Sequence, residues 1–218
     1  MTHDERFRGP AQKAIDFVVA AQYPRGGWRY KPRDQDREKI GDTSVLGWQV
    51  MALQSGRMAG LYVPEHTLQL AHQYLDLVSR DGGATYAYQR GRKRTRPMTA
   101  EGQLCRVYLG WQRDNPALAE GVEYLLEETP NSRGRPNYYY WYYATQLMHH
   151  IGGPAWKQWN QAIRKTLVEG QETRGRNAGS WPNNGRQSAG RLYSTALAVC
   201  TLEVYYRHAP IFRRINLN

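Results

Sequence analysis

Phenylalanine is nearly missing from this chain: 3 residues, against 16 Tyr and 7 Trp. A core packed for volume alone would draw on Phe, so these aromatics point to surfaces that are partly apolar and partly wet. Cysteine is almost as scarce. Cys105 and Cys200 stand outside any C-x-x-C, and two thiols make no disulfide framework, so both read as buried helix residues. No run of 18 apolar residues occurs, which excludes a membrane-spanning helix. The charged start, Met1 to Pro10, has no apolar stretch of its own, so no signal peptide is legible and the cytoplasm is only the default compartment. Acidic residues are outnumbered: 19 Asp plus Glu face 30 Lys plus Arg, for a net charge of +11. That balance by itself points to nucleic acid, anionic lipid or an acidic substrate. Yet there is no P-loop, GxSxG, HExxH or GxGxxG, and no helix-turn-helix, zinc-finger or RNA-recognition signature.

What is present is repetition. Four segments share an order of Gly/aromatic turn, then Thr with a small or polar neighbour, then an apolar stretch. They contain Gly27-Trp28 and Thr43, Tyr86 to Tyr88 and Thr99, Tyr142-Tyr143 and Thr145, and Gly179-Ser180-Trp181 and Thr195. The period is about 50 residues, enough for two helices and two connections. Each unit begins with apolar residues at i, i+3, i+4, i+7 spacing: Ala11, Ile15, Val18, Val19; Leu68, Ala71, Leu75, Val78; Leu118, Val122, Leu125; Trp156, Trp159, Ile163, Leu167. The second stretches, Val45 to Leu53, Leu104 to Trp111 and Ala196 to Tyr206, are apolar nearly all round. Striped helices suit an outer layer and the others an inner one. Pro64, Pro116 and Pro154 mark starts of outer helices, and Gly56, Gly60 and Gly152-Gly153 mark ends of inner ones. Strand patterning is brief, near Tyr86 and Tyr88. The expected fold is all-α, an (α/α) toroid or partial toroid of about four αα hairpins, over 10–210, with tails at 1–9 and 211–218.

Gln22-Tyr23-Pro24-Arg25-Gly26-Gly27-Trp28 fits the Q-x3-G-x-W repeat of squalene and oxidosqualene cyclases, with a looser copy from Gln171 to Trp181. With GGWRY, GDTSVLGWQVMALQSG, TAEGQLCRVYLGW and YYYWYYATQLMHHIGG, the chain resembles the prenyltransferase/squalene-oxidase repeat proteins of planctomycete type. The resemblance implies a toroid of the terpenoid-cyclase/prenyltransferase superfamily; it does not imply a reaction. Cyclases of this kind start a cation with a DxDD-T acid. Here the matching stretch is Lys39-Ile40-Gly41-Asp42-Thr43-Ser44, with Gly41 where the acid would stand, and Asp34-Gln35-Asp36-Arg37 lies upstream in a charged loop. The Asp, Cys and His pattern for the prenyltransferase zinc is also absent; His149 and His150 point about 100° apart on a helix, and His208 near Cys200 is a stray pair. No metal and no cofactor is expected.

Several residues carry open alternatives. Asp42 is an N-cap or a cavity-facing carboxylate. Glu101 is a helix-dipole or Arg partner, or the second member of an acid–base pair, with His149 as a third polar candidate. The run Tyr138 to Tyr143 serves either interhelical packing or a ligand pocket. Such a pocket would combine Tyr139, Tyr140, Trp141 and Tyr143 with Trp28, Trp48, Tyr88, Trp181 and Tyr193, and would hold an isoprenoid chain or stack on sugars. Arg90, Arg92, Lys93, Arg94 and Arg96 form a basic loop that is solvated or meets a phosphate, polyanion or membrane surface, with nucleic acid least favoured. The leading functional expectation is a binding domain for a hydrophobic, isoprenoid-like ligand or for a protein partner or oligomer. The alternative is an enzyme, terpenoid-cyclase-like or polysaccharide-active, using carboxylates at inner-helix N-termini.

Overall fold

The computed structural model describes residues 4–36, 40–131, 134–183 and 189–207. Among these, four helix pairs follow one another: α1 (Arg8–Ala21) with α2 (Thr43–Met58), α3 (Glu65–Val78) with α4 (Arg96–Tyr108), α5 (Pro116–Leu126) with α6 (Tyr138–Ile151), and α7 (Gly153–Gly170) with α8 (Arg191–Leu202). A single-turn helix, α9 (Val204–Arg207), closes the described chain. Within the expected N-terminal segment 1–9, a 3-10 turn at Glu5–Phe7, capped by the Asp4 carboxylate, runs straight into α1. His208 and the expected tail 211–218 lie outside the described residues, as does Lys39.

The chain divides into two compact units, Met1–Trp111 and Gln112–Asn218. In the first, α2 packs on α4, and the striped faces of α1 and α3 cover α2 and its neighbours. The core runs through Leu46, Val50, Leu53, Leu75, Val78 and Leu104, all essentially removed from water. A short antiparallel pair, β1 (Ser79–Arg80) with β2 (Thr85–Tyr86), bridges α3 to α4 in the region where alternation was legible. In the second unit α6 packs on α7 and α8. From Tyr138 to Met148 every residue of α6 is buried.

Helix boundaries follow local chemistry. Asp42, Thr95, Asn115 and Asn137 each accept a backbone N–H from the first turn of the helix they precede. Pro64 precedes α3, Pro116 opens α5 and Pro154 is second in α7, positions where no backbone N–H is needed. Gly56 does not end α2; it lies inside the helix, and a Cβ there would come 2.8 Å from Ile15 Cδ1 of α1. The turn after α2 is made by Gly60, at φ +71°. α4 begins at Arg96, earlier than its apolar residues alone indicate, because Thr95 caps it and Arg96-Pro97 fill its first turn.

The two Gln…Trp turns are built alike. Gln22 Nε2 donates to the Gly26 carbonyl (3.1 Å) and to that of Thr67 (2.9 Å), while Trp28 Nε1 donates to Val18 O in α1 (2.8 Å). In the last pair, Gln171 Nε2 donates to Gly179 O (3.0 Å) and Trp181 Nε1 to Leu167 O in α7 (2.8 Å). In both, the amide clamps the turn and the indole fastens it to the preceding helix, satisfying a carbonyl the helix end leaves open. The repeated threonines are less uniform. Thr99 and Thr195 each accept the backbone N–H of a turn aromatic, Tyr86 and Trp181, whereas Thr145 accepts the Trp159 indole and Thr43 donates to Ala87 O.

Candidate functional site

In the first unit, polar side chains gather at the N-terminus of α2. Asp42 is completely buried. Its Oδ1 accepts from Val45 N (2.9 Å) and from Ser44 Oγ (2.7 Å), so the N-cap role is real. Its Oδ2 accepts no hydrogen bond of good geometry from the described residues; Arg29 Nε stands 3.6 Å away. Tyr88 is half-buried and faces the same carboxylate. Burial first, then the Asp42 charge and hydrogen bonding toward it, push the Tyr88 hydroxyl up to about 12. Tyr74 beneath is raised by burial and then by Asp42. Tyr23 is raised by burial and by its 2.6 Å hydrogen bond to Asp36 Oδ2.

This cluster has an accessible rim. Ser44 is half-buried, and Trp48, one turn further along α2 on the same face, is 44% exposed. The Arg29 side chain is 31% exposed. The site thus presents a guanidinium, a phenol, a hydroxyl and an indole around a covered carboxylate. Arg29 and Ser44 were not among the residues singled out from sequence. Arg29 had one available signal: it directly follows Trp28 in the clamped turn.

Gly41, the position where a cyclase acid would stand, has no room for one. An ideal Cβ there would lie 2.7 Å from Gly27 Cα and 3.0 Å from the Tyr74 ring. Backbone meets backbone at this point, so the absence of the acid is built into the packing.

The other candidates are distributed differently. Glu101 is fully buried on α4, with its carboxylate pressed against Gly47 of α2. Gly47 is five residues beyond Asp42, about 7.5 Å along the helix axis, so the two carboxylates meet α2 at different depths. Burial, and then the Glu101 charge, hold the Cys105 thiol well above its ordinary range. His149 lies in the last turn of α6 in the second unit, its ring 5.0 Å from that of Trp156 and 6.3 Å from that of Tyr205. Trp28 is 2% exposed and serves the turn.

The aromatic run of α6 is largely consumed by packing. Tyr139 meets Tyr143, Tyr142 meets Tyr143, and Tyr140 stands edge-on to Trp159 while its hydroxyl donates to Leu125 O. Tyr138 and Trp141 are edge to face at 5.3 Å and, with Trp181, line a cleft of about 140 Å³ beside Pro136, Pro182 and Glu169. Tyr193 is half-buried on α8. Among the described residues no group of three or more His, Cys, Asp or Glu could hold a metal ion, and no helix is long and apolar enough to cross a membrane.

The basic loop is ordered at its base. The Arg94 guanidinium pairs with Asp81, which also accepts from Thr85 Oγ1 (2.6 Å), and these contacts hold the Asp81 carboxyl below its usual range, Thr85 contributing most. Arg96 belongs to the first turn of α4. Arg90, Arg92 and Lys93 are exposed.

No protein-family model and no curated protein matches the chain in sequence. Solved structures do match in shape. The unsaturated glucuronyl hydrolase from Bacillus sp. GL1, responsible for the degradation of glycosaminoglycan, superposes with a TM-score of 0.66 at 13% identity, over 94% of this chain and 70% of that one. A UGL variant recorded with dGlcA-Glc-Rha-Glc gives a TM-score of 0.64 at 14% identity, over the same shares of each chain. At such identity the likeness establishes the fold. The chain has an all-α, (α/α) toroid-type architecture, the class that these hydrolases share with terpenoid cyclases.

Proposed function

We propose that this protein is a saccharide-active toroid enzyme whose substrate carries a uronate group, with its site at the N-terminus of α2. The observation that carries the reading is the buried Asp42 carboxylate, whose Oδ2 accepts no well-formed hydrogen bond from the described residues while Arg29, Tyr88 and Ser44 surround it. In this reading Arg29 takes the uronate carboxylate, Trp48 takes an apolar sugar face, and Ser44 and Tyr88 take ring hydroxyls. Asp42 is the proton-transfer group, reached through the Tyr88 hydroxyl that covers it. The fold likeness to hydrolases of acidic glycans supports this class of substrate over an isoprenoid. Two further facts point the same way: Gly41 leaves no space for a cyclase acid, and the aromatics of α6 are engaged with one another. The Gln–Trp turns support kinship with the prenyltransferase/squalene-oxidase repeat proteins at the level of architecture, not of chemistry.

The test uses oligosaccharides with an unsaturated uronate at one end, prepared by lyase digestion of a glycosaminoglycan. Loss of the ultraviolet absorbance of the ring double bond and mass spectrometry of the products report turnover. Asp42→Asn lowers kcat by about 100-fold or more, and Trp48→Ala weakens binding about tenfold, roughly 1.4 kcal/mol. Failure of the wild-type protein to bind or turn over any uronate oligosaccharide, or full activity of Asp42→Asn, overturns the reading.

A further inference from the structure

The basic loop and the Asp42 site are one piece of structure. Tyr88, which faces Asp42, accepts the backbone N–H of Thr43 on its own carbonyl (3.0 Å). The next residue, Gln89, donates its side-chain amide to Gly41 O (3.3 Å). The chain therefore leaves the site directly into Arg90-Gly91-Arg92-Lys93. This tip is a shaped turn. Ala87 bridges to Arg94 across its base, Arg92 N donates to Gln89 O (3.1 Å), and Gly91 takes φ +81°. Arg80 braces it from β1, its guanidinium donating to Arg92 O (3.2 Å).

The charges of the loop are divided. Arg94 is spent on Asp81 at the base. Arg90, Arg92 and Lys93 are exposed, and their side chains enter no ion pair among the described residues. Three cations in four residues, on a turn whose backbone is already fixed, repel one another unless an anion lies across them. A braced turn also loses little conformational freedom when one does. Arg29 places a fourth cation on the rim of the site itself, 3.6 Å from Asp42 Oδ2.

We infer that Arg90, Arg92 and Lys93 grip a polyanionic glycan, so that the substrate is a chain bearing a negative group on successive sugars rather than a single uronate at its end. This inference rests on the saccharide reading of the Asp42 site and extends it outward along the loop. The loop supplies point charges and forked guanidinium donors suited to carboxylate and sulfate groups. It has no exposed aromatic between its cations on which nucleobases could stack.

The experiment measures affinity of the full chain for size-fractionated chondroitin sulfate and hyaluronan oligosaccharides, for neutral cello-oligosaccharides, and for single-stranded DNA of matched charge, across a salt series. The wild-type protein binds the charged glycans more tightly as they lengthen and ignores the neutral ones. The variant R90S/R92S/K93S loses about tenfold or more in affinity for the long glycans, and its slope of log affinity against log salt falls by about two to three. A R90K/R92K variant keeps most of the affinity, which separates charge from a folding defect. Unchanged affinity and salt slope in the serine variant overturn the inference. So does tighter binding of the DNA than of the glycans, which makes the loop a nucleic-acid surface. Failure of the underlying reading has a different signature: loop-dependent glycan binding that persists in Asp42→Asn and Trp48→Ala, with no turnover of any uronate oligosaccharide.

Discussion

The Glu101 carboxylate occupies the space that a side chain at Gly47 would need. An ideal Cβ on Gly47 would overlap Glu101 Oε1, across the contact between α2 and α4. Glu101 is fully buried, so its carboxylate has to move within a packed interior to make way. Gly47→Ala therefore lowers stability by about 1–3 kcal/mol, the range for overpacking a tight interior, although alanine is the better helix former. Thermal unfolding checks this. Glu101→Ala made in the Gly47→Ala background recovers part of the loss, since it removes the atoms that the new methyl meets. A Gly47→Ala protein as stable as the parent sinks the account of this interface.

Arg106 makes a second buried arrangement with a directional consequence. Its side chain is 4% exposed, yet its guanidinium reaches Tyr86 Oη (3.0 Å), the His72 ring (3.1 Å) and Asp76, and stacks 4.9 Å over Trp111. The Asp76 side chain is mostly in solvent. Losing Arg106 thus strands the Tyr86 hydroxyl and empties a packed site, while losing the Asp76 charge removes one exposed partner. Arg106→Ala costs about 3 kcal/mol or more, and Arg106→Lys about 1–3, because an ammonium cannot serve the same fork of acceptors. Asp76→Asn costs under about 1 kcal/mol. Denaturant midpoints of the three variants test the order, and a larger loss for Asp76→Asn than for Arg106→Ala contradicts it.

The helices were legible because burial leaves a period. Leu68, Ala71, Leu75 and Val78 write the stripe of α3 directly, and Pro64, Pro116 and Pro154 mark where chains enter helices without needing an N–H. Asp42 was legible as a residue that mattered, since one carboxylate before an apolar helix is a cap signal. Its surroundings were legible only in part: Trp48 and Tyr88 stood among the pocket aromatics, but nothing joined them or Arg29 to Asp42. Arg29 and Tyr88 reach it from connections between helices, and a loop has no period from which a partner can be read. Arg106 hid for the opposite reason: it sits within an apolar helix, where sequence suggests an isolated charge and only the fold supplies Tyr86, His72 and Trp111. The run Tyr138 to Tyr143 left packing and a pocket wall both open, because composition cannot distinguish them; in the structure each ring meets another ring, and Tyr138 and Trp141 also border a cleft.

The paired turns make equivalent predictions in the two units. Trp28→Phe and Trp181→Phe each keep most of the buried ring and remove one indole N–H, leaving Val18 O or Leu167 O without its donor. Each costs about 1–3 kcal/mol. Gln22→Leu costs more than Gln171→Leu, because buried Gln22 serves two carbonyls from inside the core while Gln171 serves one at the surface. Thermal melts of the four proteins settle the ranking. Equal losses for the two glutamines would falsify this account of the clamp.

Alkaline pH removes stability through the phenols around the Asp42 site. Tyr88 is raised from its ordinary value near 10 to about 12, and Tyr74 and Tyr23 are raised as well, each chiefly by burial. In the unfolded chain these phenols release protons near pH 10, while in the folded chain they hold them longer. A group whose folded pKa is raised contributes stability that is intact below its unfolded pKa and is lost as pH rises through the folded one. Stability is therefore level below about pH 10 and falls above it, the Tyr88 contribution being lost by about 12 and those of Tyr74 and Tyr23 later. Tyr88→Phe flattens part of that fall, because its ring stays in place and no proton is left to release beside the Asp42 charge. Ultraviolet titration of phenolate absorbance, run alongside thermal melts from pH 8 to 12, separates the outcomes. Normal ionisation of all tyrosines near 10, or an undiminished fall in Tyr88→Phe, shows that Tyr88 does not face a charged, buried Asp42.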